Sequence, residues 1–179
     1  MRVIAGKYKG HCLATPAYQF IRPTTQKVKE AIFNILTNTW NDAIVLDLYA
    51  GTGNLGIEAL SRGAKKVVFV DKSPLAIKII KKNISKLGDV QVKIWRRDVL
   101  KGLNFLKETF SIIFIDPPYE EGYVEKTLTL IKKKTDILRK GGIIIIEHSP
   151  KEKFSFLGFN LFASRRYGQT QVTILKKEM

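Results

Sequence analysis

Apolar residues in this chain fall into two kinds of pattern. Short continuous runs at residues 43–48, 66–70, 90–95, 111–115 and 142–146 read as strands buried on both faces. Segments of helical spacing lie between them. One runs from Leu55 to Arg62 and is closed by Gly63; the next has Ser73 as N-cap, Pro74 in the first helical position and Gly88 at its end. Two more helices are expected near residues 99–108 and 123–137. Strand alternating with helix predicts an α/β fold with a mostly parallel sheet. The tail differs, because strand-like runs at residues 158–167 and 169–177 are joined only by Tyr167-Gly168-Gln169, which predicts an antiparallel hairpin. Ahead of residue 42 come two strand-like pieces around residues 2–5 and 11–14. They are followed by Pro23 and then by Val28, Ala31, Ile32, Ile35 and Leu36 at helical spacing. The expected organisation is a hairpin-and-helix extension over residues 1–41 and a main domain over residues 42–179.

Composition narrows the partners. A length of 179 residues with 45% hydrophobic and 26% charged positions suits one domain with a small appendage and excludes intrinsic disorder. No apolar run approaches the roughly 18 residues of a membrane span, and residues 1–6 lack a signal-type apolar region, so a cytoplasmic, non-membrane protein is expected. Cys12 is the only cysteine and His11 and His148 the only histidines, so neither a disulfide framework nor a metal site is expected. Lys and Arg number 31 against 16 Asp and Glu, a net charge of +15 that favours a polyanionic partner, nucleic acid first. The plainer reading is a solvated lysine-rich surface, since Lys78, Lys81, Lys82 and Lys132 to Lys134 sit on predicted helix faces. Residues 1–30 carry Arg2, Lys7, Lys9, Arg22, Lys27 and Lys29 against Glu30 alone, which marks this segment as a contact surface.

Ligands of open α/β sheets sit beyond the carboxyl ends of the strands. The first strand runs into Asp47-Leu48-Tyr49-Ala50-Gly51-Thr52-Gly53-Asn54-Leu55-Gly56, whose glycines satisfy G-x-G-x-x-G. That pattern alone is weak. A dinucleotide would bring its pyrophosphate to this loop, where the Asp47 carboxylate opposes an anion. A cofactor with a cationic amino-acid end and no phosphate, such as S-adenosylmethionine, fits better. Asp71 ends the second strand 20 positions after Gly51, the place of a ribose-binding carboxylate, though it could also support the following helix start. Asp98 follows the third strand and is either an acceptor for an adenine amino group or an ordinary N-cap.

The fourth strand delivers Asp116-Pro117-Pro118-Tyr119. Two prolines fix φ and remove two backbone donors, leaving acceptors to face a pocket beside an aromatic ring. An exocyclic amine fits: its N–H bonds go to the Asp116 carboxylate and the Pro117 carbonyl, while Tyr119 stacks on an extruded base. A proline-stiffened turn is the alternative.

These residues resemble the class I SAM-dependent methyltransferases that modify amines, whose motif is Asp/Asn-Pro-Pro-Tyr/Phe. Arg2 to Gly6 with Lys9-Gly10, Ile21-Arg22-Pro23-Thr24, Lys27 to Glu30, Asp47 to Gly56, Glu58 to Ala64 and Asp116 to Tyr119 together resemble the bacterial 16S rRNA guanine-N2 methyltransferase family, RsmD. Lys27 and Lys29 depart from that pattern where arginines are usual, and Tyr49 where Phe is. The resemblance implies a Rossmann-like, seven-stranded sheet with a C-terminal antiparallel hairpin. It further implies S-adenosylmethionine as cofactor and, acting as a monomer, methylation of 16S rRNA in an assembled or partly assembled 30S subunit. It maps Asp47, Gly51, Gly53, Asp71 and Asp98 to the cofactor and Asp116, Pro117 and Tyr119 to the target base; RNA contacts are expected from Arg2, Lys7, Lys9, Arg22 and Thr24. Other classes stay open on the residues themselves: an adenine-N6 methyltransferase, an NAD oxidoreductase, and a non-enzymatic rRNA-binding assembly factor with a retained pocket.

Overall fold

The computed structural model describes residues 1–16, 26–37, 39–119 and 121–179. Its sheet has the order β3-β2-β1-β4-β5-β7-β6, built from β1 Ile44–Leu48, β2 Lys66–Asp71, β3 Val92–Arg96, β4 Phe110–Ile115, β5 Leu138–His148, β6 Asn160–Tyr167 and β7 Thr170–Lys176. The strands β1 to β5 pair in parallel, and β7 is antiparallel to both β5 and β6. The hairpin thus joins the sheet through its second strand. The chain order reverses between β1 and β4, where Leu48 pairs with Ile115, and a crevice opens at that point beyond the carboxyl ends.

Alternation along the strands divides the core in two. Val45, Phe69, Ile112, Phe114 and Ile145 pack on one side of the sheet, and Leu46, Leu48, Val70, Ile113 and Ile115 on the other. Both sides are covered, which is why these strands read as unbroken apolar runs. The first side receives α1 Gln26–Ile35, α2 Asn54–Ser61 and α3 Pro74–Ile84; the second receives α4 Tyr123–Lys133. Phe33 of α1 packs on Trp40 at 4.2 Å between ring centroids and on Phe114 at 5.9 Å, seating the helix against β4.

Three expectations change in detail. The helix near residues 99–108 is only a 3-10 turn, Val99–Lys101. Gly102 at φ +109° stops it, and Leu103 and Leu106 are buried from an irregular segment instead. Apolar spacing predicted burial correctly and conformation wrongly. The helix over 123–137 ends at Lys133. The N-terminal hairpin contracts to a single antiparallel bridge between Arg2 and Cys12, because the Ile4 and Ala5 amides donate to the Glu58 carboxylate of α2, at 2.8 and 3.1 Å, rather than to a facing strand.

Lys29 requires a correction to the N-terminal contact surface. Its ammonium is buried, 3.0 Å from Glu58, and donates to the Arg2 carbonyl and to Asn54 Oδ1. A lysine so enclosed is a tie between the N-terminal segment, α1 and α2, and is withdrawn from any phosphate. Arg2, Lys7 and Lys9 are exposed, whereas Arg22 and Thr24 lie outside the described residues.

Candidate active site

A cavity of about 560 Å³ occupies the crevice, within the range of pockets that take a cofactor-sized ligand. Asp47, Gly51, Asp71, Asp98, Asp116 and Tyr119 all line it, so strand ends distant in sequence converge as expected, and Pro117 lies beside them.

The glycine loop gives the cavity its shape. Gly53 caps α2 in the left-handed conformation, φ +77°, which costs a side-chain-bearing residue roughly 1 kcal/mol or more. Gly56 has no room for a side chain: a Cβ would stand 2.3 Å from the Phe69 ring and 2.9 Å from Asp47 Oδ2. The Gly56 amide can therefore donate to Asp47 Oδ2 at 2.9 Å. Between these glycines and β1, Tyr49 takes φ +60°, rare for a bulky residue and a mark of strain held by its surroundings. Its hydroxyl bonds Thr127 at 2.7 Å and its ring stacks on Tyr123, with 6.2 Å between centroids.

Each aspartate has its own environment. Asp47 is fully buried; desolvation, opposed by the Gly56 amide and aided by the Asp71 charge, raises its carboxyl to about 8. Asp71 accepts from the Gly51 amide at Oδ2 and from the Ser73 amide at Oδ1, both at 2.8 Å, so backbone fixes its plane at the cavity wall. Asp98 accepts from the Leu100 amide at 3.0 Å and caps the 3-10 turn, the structural role weighed for it, while still lining the cavity. Asp71, Asp98, Asp116 and Glu147 line the cavity together with Lys72 and Arg97, and Asp47, protonated below about pH 8, adds its charge where a cation favours the ionised form. This wall suits a cation with hydroxyl groups and an amine better than a pyrophosphate.

At the end of β4, Pro117 is buried and Asp116 is partly exposed to the cavity. The Tyr119 hydroxyl donates to Glu147 Oε1 at 3.0 Å and lies 2.9 Å from Thr170 Oγ1. Burial, then the neighbouring Glu147 charge, hold its phenol well above the usual range, so it stays protonated. Glu147 and Thr170 were absent from the sequence-derived site. Glu147 could have been found, since it stands at the carboxyl end of β5 after Ile143 to Ile146; Thr170 reaches the site only because β7 inserts beside β5. His148, the next residue after Glu147, lies outside the cavity lining: it bonds the Ser149 carbonyl and Thr173, packs on Phe154, and burial lowers its pKa.

The family described as "Conserved hypothetical protein 95" matches residues 1–176. The chain belongs to that family. It is similar to "Putative rRNA methyltransferase YlbH" of Bacillus subtilis, 40% identical over 183 residues and 99% of each chain. It is also similar to "Ribosomal RNA small subunit methyltransferase D" of Escherichia coli K12, 33% identical over 132 residues, which span 74% of this chain and 67% of that one. The solved structure of "Putative methyltransferase yhhF" from Escherichia coli superposes with a TM-score of 0.86 at 28% identity, covering 99% and 98% of the two chains. The sheet is thus the methyltransferase sheet, including its antiparallel C-terminal strands. Among the described residues no helix is long and apolar enough to cross a membrane.

Proposed function

We propose that the chain transfers a methyl group from S-adenosylmethionine to the exocyclic N2 of a guanine in 16S rRNA of the small ribosomal subunit. The observation that carries this reading is the meeting of Asp116-Pro117-Pro118-Tyr119 with Asp47 and Asp71 around one cavity: an amine-binding tetrapeptide beside a wall for a cationic nucleoside. When bound, the cofactor supplies an electrophilic methyl on a sulfonium. Asp47 faces its cationic amino-acid end, Asp71 takes the ribose hydroxyls and Asp98 the adenine amine. Asp116 and the Pro117 carbonyl accept the two N–H bonds of the target amine and so direct its lone pair at the methyl carbon. Methyl transfer would leave the cofactor as its neutral thioether and the amine with one surplus proton, which Asp116 or water beside it would take. Tyr119 stacks on the extruded base.

The relatives' names support an rRNA substrate, and the charge of +15 supports a polyanion. The amine pocket alone also admits adenine N6. Methyl transfer from labelled cofactor to small subunits lacking the modification, compared with naked 16S rRNA and with DNA, followed by nucleoside digestion, tests all of this. N2-methylguanosine on the particle is the expected product; N6-methyladenosine, or binding of cofactor without transfer, overturns the assignment.

A further inference from the structure

Tyr119 is held in a way its stacking role does not require. A tyrosine that only offered a ring face could leave its hydroxyl in water, yet this one is engaged by two side chains from different strands. Glu147 at the end of β5 accepts the phenolic proton, and Thr170 at the start of β7 lies 2.9 Å from the same oxygen. The phenol has one proton, which goes to Glu147, so the Thr170 hydroxyl is the donor in the second contact. Glu147 and Thr170 are themselves fixed: both are buried, and β5 pairs with β7 through Glu147 with Val172 and His148 with Gln171. Two hydrogen bonds at the phenolic oxygen, one donated to Glu147 and one accepted from Thr170, fix where the far end of the ring lies and so remove the swing about χ1. The oxygen lies on the χ2 axis, so the ring plane is biased only through the in-plane preference of the phenolic O–H.

We infer that Glu147 and Thr170 are positioning residues for methyl transfer, clamping the far end of Tyr119 so that its ring keeps one place beside the target base. The inference rests on the reading of Tyr119 as the stacking residue. It also gives the C-terminal hairpin a part in the site, since β7 brings Thr170 to a tetrapeptide that follows β4. Phosphate contacts elsewhere set much of the affinity for an RNA particle, whereas the orientation of the amine lone pair governs the chemical step. Loosening the clamp should therefore appear in kcat and not in KM.

The test compares Tyr119→Phe, which keeps the ring and removes the hydroxyl, with Thr170→Val and the double variant, on small subunits lacking the modification. Each single change is expected to lower kcat by about 3- to 10-fold, with KM for the particle and Kd for the cofactor within about twofold of the parent. The double variant should be no more than about twofold below the worse single one, because both act through one contact. Multiplicative losses, or a Tyr119→Phe protein with parental kcat, overturn the inference. A second readout needs no turnover. In protein carrying ring-labelled tyrosine, the Tyr119 NMR signal, assigned by its loss in Tyr119→Phe, should titrate above the ordinary phenol range, held there by burial and then by the Glu147 charge, and its midpoint should fall in Glu147→Gln. An ordinary titration near pH 10 in both proteins removes the clamp. A parent that transfers no methyl group while keeping the high titration refutes the proposed reaction instead.

Discussion

Asn83 of α3 donates to the carbonyl of Thr52 in the glycine loop at 3.0 Å. The same amide exchanges two hydrogen bonds with the backbone of Ala14, accepting at 2.7 Å and donating at 3.2 Å. One fully buried side chain therefore joins the N-terminal segment to the loop that lines the cavity. A second tie runs parallel to it, from the Arg2 carbonyl through Lys29 to Asn54, the first residue of α2. The glycine loop keeps its shape with help from residues far earlier in the chain.

Asn83→Ala removes all three bonds and leaves backbone groups of Ala14 and Thr52 short of partners. The expected cost is about 2–3 kcal/mol of unfolding free energy, read by urea denaturation. Cofactor binding should weaken by about tenfold, equivalent to about 1.4 kcal/mol, when titrated under conditions where the variant is folded. Lost stability with parental cofactor affinity would show that the loop holds its shape without Ala14.

Asp116→Ala separates chemistry from cofactor binding. Asp116 lines the cavity after β4, on the far side of β1 from β2 and its Asp71. Methyl transfer should fall by about a hundredfold or more, while cofactor affinity stays within about threefold. Asp116→Asn keeps a carbonyl acceptor and should fall between the two. A large loss of cofactor affinity in either variant would move Asp116 to the cofactor side of the site.

What could be read in the sequence followed from locality. The loop Asp47 to Gly56 and the tetrapeptide Asp116 to Tyr119 carry their chemistry in consecutive residues, and both stand where strand ends were expected. Asn83, Glu147 and Thr170 reach the site through topology: α3 lies over the glycine loop, and β7 returns beside β5. No spacing rule announces such contacts. The same limit explains Lys29, whose partner Glu58 is 29 positions later, so that it reads as one more basic residue until α1 is laid on α2.

Neutralising Arg2, Lys7 and Lys9 together should flatten the dependence of log affinity for small-subunit RNA on log salt by up to about 0.9 per lost duplex contact. Lys29→Met provides the contrast. Glu58 keeps Arg62 at 2.9 Å and the Ile4 and Ala5 amides when Lys29 is lost, so the change should cost about 2–3 kcal/mol of stability, mainly through the unpaired Arg2 carbonyl and Asn54 Oδ1, and leave the salt slope of the folded protein as it was. A slope unmoved by the triple change would place the RNA on another face.

Asp47 ties cofactor binding to pH. Its carboxyl is raised from an ordinary value of 3.8 to about 8 by burial. Between those two values the folded protein holds a proton that the unfolded chain has released, so stability falls as pH rises through this window and levels off above about pH 8. Asp47→Asn keeps an acceptor for the Gly56 amide but has no proton to lose, and the fall should shrink by this group's share. A cationic ligand favours the ionised carboxylate, so binding should expel the proton. Cofactor affinity should accordingly tighten by up to about tenfold per pH unit below pH 8, the limit for one proton, and calorimetry in buffers of different ionisation enthalpy should register the release. In Asp47→Asn the affinity should be weaker and this dependence gone. Parental affinity that is flat from pH 6 to pH 8 would mean that the cofactor's charge is met by Asp71 or Asp116 instead.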